Sequence, residues 1–391
     1  MKIKVNTILA ILIYFLVFFS TTYFNYDFLK YALIIIVGLL IILDFDSRIF
    51  CKNKKINYAI ICFCCIVMIF SYLNKNTLER NPFLAAIVFA IILLEYTFVV
   101  EKFSYIGKIN AMLGIFYKMT LGIVIITDIL SMFNSLLYSH EGNYLIGTKF
   151  QVTYLHFFLI AFFLAYKGNK IKGTTNIAYI NKIKMFFYII LTWVMAVKTS
   201  TATGIVGTII LVVFIYISYK KMDALLNVKT FCIMLLLSAL FVVFFEVILS
   251  NQIVTYIITQ LLGRDSTLSL RTMIYLEVPH IMNGHWLLGY GFGSSYEVLM
   301  KYGIVDTQNG IMEWIEQIGI IGVISLIIWL SMAMKKIDHY RMKEIIKQCA
   351  PLVALVYVFI FLGTIEITLT IEVFALILII YGLKNNGKKE E

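Results

Sequence analysis

Arg264 and Arg271 stand seven residues apart in the segment LGRDSTLSLRTMIY at 262–275. On a helix that spacing sets both guanidiniums on nearly one face. Two planar forks that stay charged and grip phosphate oxygens bidentately suit a diphosphate whose negative charge grows as it departs. A pair of solvated loop charges is the alternative that spacing leaves open. Further on, TQNGIMEWIEQIGIIGVISLIIWL at 307–330 begins polar and turns apolar, with Asn309, Glu313 and Glu316 on one helical face. Carboxylates at the mouth of an apolar helix are expected to face protein, water or substrate. Glu313 is thus either a reactive group or a structural carboxylate bonded to a neighbouring helix. Gly319 and Gly322 are expected to let another helix approach closely. The glycines of LGYGFG at 288–293 are spaced like a dinucleotide fingerprint, but without a flanking strand and helix they predict a tight turn.

The elements that must position these residues are membrane helices. Of the 391 residues, 61% are hydrophobic and 14% charged, too little polar surface for a soluble domain. Apolar runs near the ~20 residues needed to cross a bilayer recur from end to end. They predict an all-α polytopic protein, a single membrane domain over 1–391, with about twelve transmembrane helices at 7–24, 28–44, 57–73, 83–100, 110–134, 153–166, 185–199, 203–219, 230–249, 313–333, 350–365 and 367–382. The first run lacks a small-residue cleavage site and reads as a retained span. Basic residues near span ends favour the cytoplasm. Arg48, Lys52, Lys54 and Lys55, then Lys167, Lys170 and Lys172, then Lys335, Lys336 and Arg341 therefore place both termini inside.

The net charge of +11 is then mostly topology, and its scatter over many short loops argues against nucleic-acid binding. Cys62, Cys64 and Cys65 lie in an apolar helix with no nearby His or carboxylate, which fits small buried hydrophobes better than a metal cluster. The one long outward loop, 250–312 between spans nine and ten, is where chemistry is expected. It carries Arg264, Asp265, Arg271, His280, His285, Glu297, Lys301 and Asp306. Lys149, Tyr154 and His156, at the start of the sixth span, are expected to help line the same outer cavity, although a surface charge is the alternative for Lys149. Glu95, Lys118, Asp128, Glu246, Glu366 and Glu372 are assigned to spans, where ionisable groups face the protein interior or a pathway.

The succession GRDSTLSLR, PHIMNGHWLLGYGFG and QNGIMEWIEQIGIIG resembles the C-terminal region of the O-antigen polymerase and ligase family over residues 260–340, and GTKFQVTYLHF at 147–157 is similar to a segment of Gram-positive capsule polymerases. The resemblance implies a GT-C-like fold in the bacterial cytoplasmic membrane. It further implies a metal-independent glycosyltransferase without cofactor, acting outside the membrane on undecaprenyl-pyrophosphate-linked oligosaccharide. Such a polymerase moves glycan from its lipid pyrophosphate to the non-reducing end of another lipid-linked unit, with inversion, among membrane lipids, a flippase and a chain-length regulator.

On that resemblance Arg271 takes the family arginine before an aromatic, Arg264 a neighbouring basic position, and Asn309 the asparagine of a His-Asn pair whose histidine is replaced by Gln308. A glutamine is no general base. His280, His285 and Glu313 are the candidates for that role, unless positioning and charge stabilisation suffice. A ligase acting on another acceptor, or a flippase, remains open. A carrier would usually show two related halves or interrupted helices in matching positions, and neither is evident in the sequence.

Overall fold

A computed structural model describes residues 2–19, 26–133, 144–168, 175–256, 259–260, 271–335 and 339–386. Of the described residues 80% are helical, and none lies in a strand. The helices are α1 (Lys2–Phe18), α2 (Tyr26–Leu43), α3 (Ser47–Lys52), α4 (Lys54–Leu73), α5 (Pro82–Tyr105), α6 (Ile109–Phe133), α7 (Lys149–Gly168), α8 (Thr175–Lys198) and α9 (Ala202–Lys220). They continue with α10 (Met222–Leu225), α11 (Val228–Val243), α12 (Phe245–Leu249), α13 (Gln252–Tyr256), α14 (Arg271–Ile281), α15 (Ser295–Met300), α16 (Gly310–Ala333), α17 (His339–Leu362) and α18 (Ile371–Lys384).

Seven helices are long and apolar enough to cross a membrane: α4, α5, α6, α7, α9, α16 and the Ile345–Leu362 part of α17. Three shorter apolar helices, Val5–Phe18, Phe28–Leu43 and Val228–Val243, together with α8 and α18, lie where the remaining apolar runs predict spans. α17 is apolar on every side through PLVALVYVFIF and accordingly occupies the centre, against α7, α9, α11 and α18. At the periphery, α2 exposes Phe28, Ile35, Leu39 and Ile42, and α8 exposes Phe186, Phe187 and Trp193. Apolar surface turned outward in this way is costly in water and favourable in lipid, so the fold is that of an all-α membrane-embedded protein.

Two boundaries differ from the expectation, and both matter. The run 350–382 is not two abutting spans: α17 ends at Leu362 and the chain stays non-helical until Ile371. The intervening TIEITLT at 364–370 alternates with a period of two rather than 3.6, which releases backbone groups from the helix. Glu366 therefore belongs to this break and not to a span.

The second difference is inside α16, which is interrupted at Gly319 (φ 65°, ψ 178°). A Cβ there would overlap the Leu287 carbonyl. What Gly319 admits is the chain 286–288 rather than a neighbouring helix, and a Cβ on Gly322 would meet Ile318 of its own helix first.

The described residues of 271–309 form a lobe on that interruption. Tyr290 and Gly291 donate their backbone N–H groups to the carbonyls of Glu316 and Gln317 at 2.9 and 2.8 Å, and Ile320 donates to Trp286 at 2.8 Å. Non-helical backbone at membrane depth persists only where protein satisfies it, and here each interrupted segment supplies the other's partners. Gly289, Gly291 and Gly293 all have positive φ, as the expected tight turn requires. Phe292 completes the attachment by donating its N–H to Ser71 Oγ of α4 at 2.9 Å.

Candidate functional site

α14 starts at Arg271, so its first side chain is fixed where the lobe meets the α17–α18 break. The guanidinium donates through Nε and Nη2 to the Ile365 carbonyl at 3.1 and 2.9 Å, to Gln308 Oε1 at 2.6 Å and to Glu366 Oε1 at 3.0 Å. Its side chain is 11% exposed and that of Glu366 10%, so the charge pair is largely shielded from solvent. Burial raises the Tyr275 phenol above its ordinary value, and the still-protonated hydroxyl donates to the Gln308 carbonyl at 2.9 Å. Gln308 adopts φ 51°, uncommon for a residue with a side chain, and is held there from both directions. Its backbone N–H donates to Asp306 Oδ1 at 3.0 Å, and its side-chain amide donates to the same oxygen.

Two cavities meet at this point. A groove of about 960 Å³ runs along Phe241, Ile248, Leu249 and Val254 and carries Lys149, Arg271 and His280. A smaller cavity of about 270 Å³ lies on the other side, against Phe150, Tyr154, Phe158 and Phe359. Phe150, Asp306, Gln308 and Glu366 line both and form the wall between them. Lys149 makes no ion pair among the described residues, so its ammonium is available to the groove. The arrangement has room for an amphiphile: an apolar channel, cations at its end, and a second polar compartment beyond them.

The structure thus brings together Arg271, Lys149, Tyr154, His280 and Gln308 from among the residues that the sequence singles out. Arg264 lies outside the described residues, as does Asp265. The other candidates are placed elsewhere. His156 is 1% exposed and turns toward α6, where Nε2 pairs with Asp128 Oδ1 at 3.1 Å. It lies on the opposite side of α7 from the face that lines the cavities. His285 stacks on Tyr290 with centroids 3.8 Å apart and lines neither cavity.

Asn309 is fully buried and caps α16, accepting from Ile311 and Met312 at 3.1 and 3.0 Å while its amide donates to the carbonyls of Ser238 and Thr364 at 3.0 and 3.1 Å. With both amide hydrogens and its oxygen engaged, Asn309 positions Gln308 rather than binding a ligand. Glu313 also lines neither cavity: its carboxylate accepts from Ser295 at 2.8 Å, Thr307 at 3.0 Å and Gln317 at 2.7 Å, tying α15 to α16. The wet cavity expected beside Glu313 and Glu316 is filled by the glycine turn and α15, and Glu316 is 1% exposed.

Local sequence does not distinguish Asp306 from the other charges of the loop, nor Glu366 from the other ionisable residues assigned to spans. Glu366 was hidden by an apolar run that looks continuous, though the alternating polarity of 364–370 marks the break. Asp306 stood among other loop charges, with only its place two residues before Gln308 to distinguish it. Comparison with known proteins returns no match, either among protein-family models or among curated sequences.

Proposed function

We propose that the protein is a polysaccharide repeat-unit polymerase of the bacterial cytoplasmic membrane, with twelve spans, both termini cytoplasmic and the 271–309 lobe outside. In this reading a polyprenyl chain lies in the larger groove, its pyrophosphate against Arg271 and Lys149, and the glycan it carries is transferred to another lipid-linked oligosaccharide. The observation that carries the proposal is the position of Arg271, whose guanidinium ends an apolar groove of about 960 Å³ at a shielded, hydrogen-bonded point. An isolated solvated charge has no such setting. A cation held in place before the reaction stabilises charge that develops on a leaving pyrophosphate without reorganising.

Glu366 and the Ile365 carbonyl fix the guanidinium's orientation, which a flexible ammonium would not share. Lys149 adds a second positive charge on the same groove. The resemblance of 260–340 to polymerases and ligases gives the reaction class, and the two-compartment site fits a transfer between two lipid-linked sugars.

The test is incubation of the purified protein with its native lipid-linked repeat unit and no nucleotide sugar, followed by electrophoresis of the glycan. Wild type is expected to produce a ladder. Arg271→Ala is expected to lose it by a factor of about 10²–10³ in rate while still inserting and folding. Movement of the same lipid across a liposome bilayer without any ladder would overturn the proposal in favour of a carrier.

A further inference from the structure

The two cavities differ in charge. Lys149, Arg271 and His280 line the larger groove beside Glu277, Asp306 and Glu366, whereas among the described residues no Lys, Arg or His lines the smaller one. That compartment instead presents the carboxylates of Asp306, Glu366 and Glu372 together with the hydroxyls of Thr368 and Thr370. A phosphate entering it would meet three carboxylates, while the neighbouring cations Arg271 and Lys30 already stand against Glu366 and Glu372, which disfavours it. An uncharged ligand rich in hydroxyl groups meets acceptors for its O–H hydrogens, and the aromatic rings of Phe150, Tyr154 and Phe158 offer apolar surface to its C–H faces.

Resting on the polymerase reading, we propose that the smaller cavity receives the acceptor sugar and that Asp306 is the general base for its attacking hydroxyl. Three carboxylates compete for that role, and their settings separate them. Glu366 is committed to Arg271 at 3.0 Å. Glu372 lines only the smaller cavity, away from the groove that would hold the donor. Asp306 stands on the shared wall. Its Oδ1 takes both the backbone and side-chain N–H groups of Gln308, and its Oδ2 has no hydrogen-bond partner among the described residues. A carboxylate anchored through one oxygen and open at the other is positioned to take a proton.

The left-handed Gln308 is then explained as the residue that aims this base while its own Oε1 bridges to Arg271. A glutamine at that position removes a histidine's basicity and supplies a holder for a neighbouring one.

The step balances within the two substrates. The acceptor oxygen forms a bond to the anomeric carbon as the bond from that carbon to the pyrophosphate oxygen breaks. The hydroxyl proton passes to Asp306 Oδ2, and the electron pair leaves with the polyprenyl pyrophosphate beside Arg271. The proton later returns to solvent.

Asp306→Asn keeps an acceptor toward Gln308 but cannot take the proton. With wild type and variant supplied with the lipid-linked unit, the variant is expected to polymerise about 10²–10⁴-fold more slowly at an unchanged KM for donor. Sodium azide, an anion that needs no deprotonation, is expected to restore donor cleavage in Asp306→Asn with formation of a glycosyl azide. A variant that polymerises at the wild-type rate, or one whose loss azide does not relieve, overturns the assignment of Asp306 while leaving the polymerase reading intact. Absence of any ladder from wild type overturns both. Filling the smaller cavity supplies a second check: the bulkier side chain of Tyr154→Trp is expected to raise KM for acceptor without raising that for donor, and the reverse pattern would overturn the assignment of the smaller cavity.

Discussion

Arg271 and Glu366, 95 positions apart in the chain, meet at 3.0 Å and join the first residue of α14 to the break between α17 and α18. The pair links the lobe to the central helix of the bundle, and both side chains face the wall where the cavities touch. Removing the carboxylate leaves a shielded guanidinium with its other acceptors but without its counter-charge. Glu366→Ala is expected to destabilise the protein by on the order of 2 kcal/mol. Because the two residues share this interaction, Arg271→Ala and Glu366→Ala combined are expected to fall short of additivity by about 0.5–3 kcal/mol. Thermal or denaturant unfolding of the single and double variants in detergent measures that coupling, and strict additivity would show the pair to be inert.

Arg271→Lys is expected to retain the positive charge and lose the function. Nε and Nη2 both reach the Ile365 carbonyl while Nη2 also serves Gln308 and Glu366, a fork that one ammonium cannot reproduce. Turnover of the lysine variant at the wild-type rate would show that charge alone matters there.

Asn309→Asp separates the two jobs of that side chain. The carboxylate still caps Ile311 and Met312, but the amide hydrogens donated to Ser238 and Thr364 are gone, leaving two carbonyls facing an anion. Asn309→Ala loses the cap as well, at about 0.5–2 kcal/mol, besides leaving buried carbonyls unpaired. Both variants are expected to melt earlier than wild type, with the loss visible in unfolding temperature before it is visible in donor binding. The opposite order would make Asn309 a ligand contact.

Gly319→Ala tests the interruption of α16. Its φ of 65° and the adjacent Leu287 backbone leave no room for a methyl group, so the substitution is expected to cost more than about 1 kcal/mol and to loosen the 286–291 segment. Amide exchange at Tyr290, Gly291 and Ile320 reports this directly, since those N–H groups span the interruption. Unchanged protection at all three would mean the crossing survives without the glycine.

The Glu297 carboxylate accepts the backbone N–H groups of Arg80 and Glu79, which hold it below the ordinary glutamate range. Its value in the folded protein is therefore depressed relative to the unfolded chain. The clamp it forms on the 79–80 turn is fully present above the unfolded value and is lost as pH falls through the folded one. Exchange protection of the Arg80 and Glu79 amides, corrected for intrinsic rates, is expected to drop over that acid range in wild type and to be low at every pH in Glu297→Ala. A pH-independent protection would assign the turn's order to other contacts.

Much of this architecture is legible in the amino-acid order because a bilayer asks for something that the order records directly, namely lengths of apolar chain. The centre of α17 and the capped starts at Asn81-Pro82 and Asn309-Gly310 follow from neighbouring residues alone. The glycine turn at 288–293 does too, since positive φ needs glycine whatever surrounds it. What local sequence does not carry is the meeting of distant segments. Nothing near Arg271 points to Glu366, and nothing near Gly319 reveals that its partner is a stretch of backbone 30-odd residues earlier rather than a helix. Helical phase was the other gap. Tyr154 and His156 are two residues apart, so one lines the smaller cavity while the other faces Asp128. Which of the two faces inward depends on where α6 lies.

Chain order also dictates when the crossing at Gly319 comes into being. The glycine turn leaves the ribosome before the carbonyls of Glu316 and Gln317 that it needs, and Arg271 waits longer still for Ile365 and Glu366. A nascent chain can therefore have most of its apolar helices made while the wall between the two cavities does not yet exist. A polypeptide interrupted before Ile365 would lack both the carbonyl and the carboxylate that hold Arg271, and with them the wall between the cavities.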